Sequence, residues 1–347
     1  MTSIPGARPT PGTPPPRPTP DRPVVVVGGG IAGVACARVL ADAHVPVRIV
    51  DRGRQLGGRM AVRHEEVGGV VRAVDIGASY FTVRDERFAA VAEGWRARGL
   101  ARVWTPTLHV ISTDGATGPS AGVERWAATD GLRSLVQDLA DGIPVTHGVE
   151  VEEVDLADGL LVDGEPAAAV VLAMPEPQAY DLLPEPVAES LGLGRGLDWS
   201  PTIAVWGAWA ERWWPADLDG AFVDGSPVVS WVADDGRRRG DGAAVLVSHV
   251  TGAFAAARLD DPASAVAPVL AELGALLGGG AEVPAPLWVR SHRWSLASPR
   301  HPHAAPFALS EHPVGVCGDA WGPQARIEQA WLSGHQLGEA LLPRLAG

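Results

Sequence analysis

Four consecutive valines, Val24 to Val27, run straight into three glycines, Gly28 to Gly30, and no other stretch of this chain restricts its fold so severely. A continuous β-branched run without polar alternation is the pattern of a strand buried on both faces, as in a parallel sheet. Ile31 to Ala43 is rich in alanine and free of proline, which predicts a helix. Val45 to Val50 predicts a second short strand, closed by Asp51. Strand, glycine turn, helix, strand and terminal acid together make one βαβ unit.

Within that unit, Gly28, Gly30 and Gly33 have the spacing and setting of a dinucleotide-binding turn. Gly28 permits the tight turn, Gly30 lets backbone N–H groups approach a diphosphate, and Gly33 lets the helix pack close to the strand. The helix opening at Ile31 and Ala32 turns its positive end toward that phosphate charge. Asp51 is placed to accept from the ribose hydroxyls of an adenosine half, with Arg52 beside it, and its charge disfavours a 2′-phosphate. The glycines do not choose between NAD and FAD. Gln55-Leu56-Gly57-Gly58-Arg59-Met60 points to the second, because a further glycine pair lets the chain cross a dinucleotide while a guanidinium reaches phosphate or flavin oxygen. A surface turn with a solvated arginine is the alternative.

The 347 residues, 46% of them hydrophobic, suffice for two lobes. No apolar run approaches a membrane span, and the N-terminus has no basic segment followed by an apolar one, so a cytoplasmic protein without membrane contact is expected. A net charge of -13 argues against nucleic acid as a partner. All 28 basic residues are arginine. The two cysteines, Cys36 and Cys317, form no closely spaced pair and read as core filling, which excludes dithiol redox chemistry. Residues 1–22 carry eight prolines and read as a disordered tail, with a polyproline docking site at Pro14 to Pro16 as the alternative.

Further along, Thr129 or Asp130 caps a predicted helix to about Ala140. Val145 to Val154, Val170 to Ala173 and Val314 to Cys317 predict strands, and Ile327 to Leu342 predicts a closing helix. Six tryptophans between Trp199 and Trp231 suggest an aromatic interior or cleft, with plain core packing the favoured reading for most of them.

Gly58-Arg59-Met60 and Asp75-Ile76-Gly77-Ala78-Ser79-Tyr80-Phe81 resemble the renalase family of FAD-dependent oxidoreductases, relatives of the flavin amine oxidases. Cys317-Gly318-Asp319-Ala320-Trp321 and the run from Ile327 to Gly334 resemble that family's closing motif. The resemblance implies a non-covalent FAD touched by Ala32, Arg59, Met60, Ser79 and Tyr80. It also implies that Gly318 and Asp319 hold the ribityl chain, that the helix at Ile327 points at the flavin pyrimidine, and that Val151, in a third sheet strand, meets adenine through its backbone. Gln329 departs from the family pattern and would narrow the site. The amine oxidases commonly hold a water at flavin N5 with a lysine, which this chain lacks.

The fold class expected is α/β: a Rossmann-type FAD-binding domain, like that of glutathione reductase and p-hydroxybenzoate hydroxylase, from residues 23–80, 141–178 and 312–347. A mixed α+β substrate domain takes 81–140 and 179–311. Trp294, His249 and His292 are the candidate catalytic residues, Trp294 to stack on a nicotinamide ring. Arg125, Arg195 and Arg258 are candidate phosphate anchors. His301 and His303 read as a solvated loop in preference to metal ligands, and Arg237 to Arg239 as a solvated hairpin tip. The resemblance implies oxidation of 2- or 6-dihydro-NAD(P) to NAD(P)+ with hydrogen peroxide as co-product, by a monomer or homodimer. The alternatives are oxidation or desaturation of another small molecule, an amine or a carotenoid-like hydrocarbon, and a flavin-binding redox module without turnover.

Overall fold

The computed structural model describes residues 17–114, 117–157, 159–194, 196, 198–278 and 283–346. Pro14 to Pro16 and Arg195 lie outside the described residues. The chain forms two compact units: Met1–Gly58, Val136–Asp198 and Pro299–Gly347 in the first, and Arg59–Leu135 with Trp199–Ser298 in the second. These boundaries lie elsewhere than the motifs suggest at one place of consequence, since Arg59 to Tyr80 pack within the second unit.

The first unit is built on a six-stranded sheet with Val24–Val27 near its middle, flanked by Ala169–Leu172 and Val47–Asp51. Both neighbours are parallel to it in uninterrupted register. Outside them lie Val145–His147, also parallel, and Val314–Val316, with Ala308–Leu309 antiparallel at the edge. The four valines are all buried, as the unbroken apolar run requires. Two helices, Ile31–Asp42 and Ile327–Leu345, pack on each other through glycine. A Cβ at Gly334 would strike the Ala32 carbonyl, and one at Gly338 would stand 2.9 Å from the Val39 Cβ.

Three expectations need correction. Val151 is buried but lies in no strand, because the run from Val145 breaks after His147 and pairs again only at Val154–Asp155. The helix expected from Thr129 begins at Arg133, Thr129 being held by its hydroxyl on the Gly99 carbonyl. The described end of the tail is structured, with Thr19 and Arg22 bridged and Arg22 Nε donating to the Ala167 carbonyl.

The second unit is built on an eight-stranded sheet whose two faces are separated by alternation along the strands, interrupted by register shifts at Val229/Trp231 and between Val103 and Thr107. Ile203, Val205, Val232, Leu246 and Val250 point to one face and pack against Val269 and Leu273 of the helix Val266–Leu277. Ala204, Trp206, Val245 and Val247 point to the other, where the hairpin of Val62–Val67 and Val70–Asp75 covers them with Val74 and Ile76.

Candidate functional site

In the first unit the glycine turn follows from backbone sterics. Gly28 has φ +110°, and a Cβ there would strike the Ala173 carbonyl, while a Cβ at Gly33 would strike the Gly28 carbonyl. Gly30 differs, since a Cβ there would meet nothing within 4 Å. The helix behind it has no side-chain cap and no acid in its first turn, so its N–H groups face this open space. Gly57 N–H donates to the Gly29 carbonyl at 2.8 Å, and the Cβ position of Gly58 is 3.6 Å from the Gly30 Cα. The second glycine pair thus runs beside the first, as the motif reading requires. Asp51 ends its strand with its carboxylate accepting from the Gly29 N–H at 2.5 Å and the Gly53 N–H at 2.6 Å, which fixes its direction and leaves further lone pairs. Arg52 is exposed and pairs with Glu150 at 3.1 Å.

At the same carboxyl-terminal edge of the sheet, two strands from the Gly28 turn, Gly318 and Asp319 turn between the strand Val314–Val316 and the helix at Ile327. Gly318 N–H donates to Ser333 Oγ at 3.1 Å, and its Cβ position is open for 4 Å. Ile327 is buried at the head of an uncapped helix. Gln329 folds back into the turn, its amide donating to the Trp321 carbonyl at 2.9 Å. His301 is exposed, but His303 is not the solvated loop residue expected. Its ring lies 4.0 Å from that of Trp321 at 10° and is hydrogen-bonded to the buried Glu176 at 3.0 Å. No cluster among the described residues has the make-up of a metal site.

In the second unit the motif residues gather on the hairpin-covered sheet face. Ile76 N–H donates to the Ala61 carbonyl and Ala78 N–H to the Arg59 carbonyl, so Arg59 and the buried Met60 run against the Gly77 segment; a side chain at Gly77 would collide with the Arg59 carbonyl. The Arg59 guanidinium donates to the Ala297 carbonyl at 3.0 Å and lies 5.1 Å from the Trp199 ring. Trp294 Nε1 donates to the Ile76 carbonyl at 3.0 Å, and His249 also has a hydrogen bond to the Ile76 backbone. The His292 ring meets Trp294 edge-on at 4.6 Å. The three catalytic candidates therefore share one face. Burial, and secondarily the Arg238 charge, lowers His249 to about 4, so its imidazole is neutral at physiological pH. His292 is lowered by burial first, then by Arg63 and Arg293.

Arg238 is the residue that the sequence misplaces most. Arg237 to Arg239 are not a solvated tip: Arg238 is fully buried and Arg239 nearly so, in a short helix Asp235–Arg239. Arg238 pairs with Asp235, stands 3.8 Å from the Asp75 carboxylate, and donates to the carbonyls of Ser79 at 2.8 Å and Asp75 at 3.3 Å. Ser79 is buried in turn, and Tyr80 follows it on the aromatic side of the sheet. Burial pushes Asp75 above the ordinary carboxylate range although Arg238 draws it down. Of the other arginines, Arg125 lies 5.9 Å from the Tyr80 ring, and Arg258 lies 3.7 Å from the Phe254 ring.

Against known families, residues 26–94 match the NAD(P)-binding Rossmann-like domain and residues 97–341 match the flavin-containing amine oxidoreductases. The chain belongs to the flavin-containing amine oxidoreductase family. It has the α/β fold of this family of flavin-dependent oxidoreductases. Its fold is that of cyclohexylamine oxidase from Brevibacterium oxydans, with a TM-score of 0.70 at 14% identity over 94% of this chain and 100% of that one. Putrescine oxidase matches with a TM-score of 0.68 at 16% identity over 93% and 99%. A carotenoid 3,4-desaturase of Haloarcula japonica is 44% identical over 69 residues, which are 19% of this chain and 13% of that relative.

The first unit fits the FAD that this family uses. Gly28 and Gly33 leave no room for a side chain, yet at Gly30 and Gly318, near the two helix N-termini, the Cβ position has no described residue within 4 Å. Backbone donors and the carboxylates of Asp51 and Asp319 have the chemistry that diphosphate, ribose and ribityl groups require.

Proposed function

We propose that this oxidoreductase oxidises isomeric dihydronicotinamide dinucleotides, reduced at ring position 2 or 6, to NAD(P)+, as the renalase-like enzymes that its motifs resemble do. Gly28, Gly30, Ile31, Ala32, Gly33, Asp51, Gly58, Gly318, Asp319 and Ile327 hold the FAD non-covalently, with Arg59, Met60, Ser79 and Tyr80 on the flavin side. The observation that carries the reading is the chemistry of the face shared by Trp294, His249 and His292. It offers flat rings and a neutral imidazole, no carboxylate among the described residues bonds to any of the three, and the chain has no lysine. A face of this kind orients a planar ring and excludes water, and none of the three side chains brings an anionic group to pair with an ammonium substrate. A dihydropyridine becomes an aromatic cation without losing a proton, so none is needed.

Bound FAD would supply the oxidant, accepting a hydride and passing the electrons to oxygen as hydrogen peroxide. Trp294, fixed on the Ile76 carbonyl, stacks on the ring. His249, neutral and anchored on the same residue, keeps positive charge away from the pyridinium as it forms.

Anaerobic stopped-flow of the holoenzyme tests this directly. Both isomers, or one of them, bleach the flavin much faster than ordinary NADH or cyclohexylamine; bleaching by the isomers no faster than by NADH overturns the reading, and fast bleaching by cyclohexylamine puts amine oxidation in its place.

A further inference from the structure

On the same sheet face of the second unit, one row of paired residues reads Val110, Phe222, Trp231, His249 and Ala204 across five strands. Trp104 joins it, because Gly220 carries no side chain: a Cβ there would stand 2.9 Å from Trp231 and 3.1 Å from Trp104. The Tyr80 ring lies 6.1 Å from Trp104 and 5.8 Å from Trp231, and Phe222 lies 4.9 Å from Trp231. Trp104 and Trp231 are more than nine-tenths buried, whereas Phe222 is 44% exposed, so the cluster reaches the surface at one side.

Four buried polar atoms of this cluster have no partner, although Arg125 Nη1 donates to the Pro106 and Val123 carbonyls. Trp104 Nε1, Trp231 Nε1 and His249 Nε2 are all buried without a hydrogen bond, and so is Arg125 Nε, whose guanidinium lies against Tyr80. Buried indole N–H groups nearly always find an acceptor, and these two, on rings that both meet Tyr80, have none. An acceptor brought from outside the chain satisfies them. With two indole donors and a guanidinium, and no carboxylate bonded to any member among the described residues, the cluster favours acceptors and repels cations.

We propose that Trp104, Trp231 and Arg125, walled by Tyr80 and Phe222, form a recognition site for a flat ring bearing a neutral or anionic acceptor group, such as a carboxamide or carboxylate, and that they reject the matching ammonium. The inference rests on the proposed function only in taking this face as the substrate's.

Benzamide, benzoate and benzylamine share one ring and differ in the head group, so calorimetric titration of the holoenzyme with each isolates the effect. Benzamide and benzoate bind at least about tenfold more tightly than benzylamine, the size that two hydrogen bonds gained from unpaired donors supply. W104F and W231F keep the ring, lose the N–H, and each reduce that preference about threefold or more. R125Q weakens benzoate more than benzamide. Equal or tighter binding of benzylamine, an unchanged preference in both tryptophan variants, or no binding by any of the three overturns the proposal. None of these readouts depends on turnover, so this site and the oxidation proposed above fail separately.

Discussion

Replacing Arg238 by Met is the sharpest probe of how the Asp75 to Tyr80 segment is held. The guanidinium is fully buried, faces two buried carboxylates, and donates to the backbone carbonyls of Asp75 and Ser79. Methionine fills similar volume but leaves Asp75 and Asp235 with Arg239 as the nearest remaining cation. Removing one partner of a buried ion pair costs about 3–5 kcal/mol, and the two lost charge-assisted hydrogen bonds overlap with that figure, so a loss of about 4 kcal/mol is expected. Against a total stability of about 5–15 kcal/mol this is severe. The deficit also depends on pH. Without Arg238 the Asp75 carboxyl rises further; a carboxyl with a raised native pKa costs stability above that pKa and regains it as the pH falls. The gap between wild type and R238M therefore narrows as the pH falls. Adding Asp75→Asn removes the stranded charge and recovers at least half the loss. Urea unfolding followed by tryptophan fluorescence reads this unit, which holds all of the 13 tryptophans except Trp321 and Trp331. A deficit under about 1 kcal/mol, or a double variant no better than R238M, refutes the reasoning.

His249 stays neutral in the native state down to about 4 against its ordinary 6.5, so the unfolded chain takes up the proton first and stability falls as the pH drops below 6.5. That loss is about 2 kcal/mol at about pH 5 and disappears in His249→Gln, measured by urea midpoints at several pH values. Gly30→Val leaves thermal stability within about 0.5 kcal/mol because its Cβ enters open space, yet weakens FAD uptake at least about tenfold. Gly33→Val fails to fold, since its side chain has only the Gly28 carbonyl to enter; equal behaviour of the two variants contradicts the division of labour.

The first βαβ unit is legible in the sequence because every signal there is local. An unbroken valine run, a steric need for glycine and an acid at the strand end each act within a few residues. Val151 is misread for the same reason: apolar alternation does not say where a strand loses its partner, and here pairing stops after His147. Arg237 to Arg239 show the opposite failure. A charge run between two glycines reads as a solvated turn, but its burial is decided by Asp75, far away in sequence. A local clue was present, since Asp235 stands three and four residues before Arg238 and Arg239, the spacing of ion pairs on one helical turn. His303 likewise owes its place to Glu176 and Trp321, both remote. The common face of Trp294, His249 and His292 becomes visible only with strand register, because a shift of one residue would turn each side chain to the opposite side.

The most direct measurement is the fate of the pigment when the purified holoprotein is denatured in acid. The account predicts a yellow protein that releases all of its flavin into the supernatant as intact FAD, and whose apoprotein regains the colour on adding FAD but not on adding NAD+. A colourless protein that takes up no FAD, or flavin that stays attached to the precipitated chain, contradicts it.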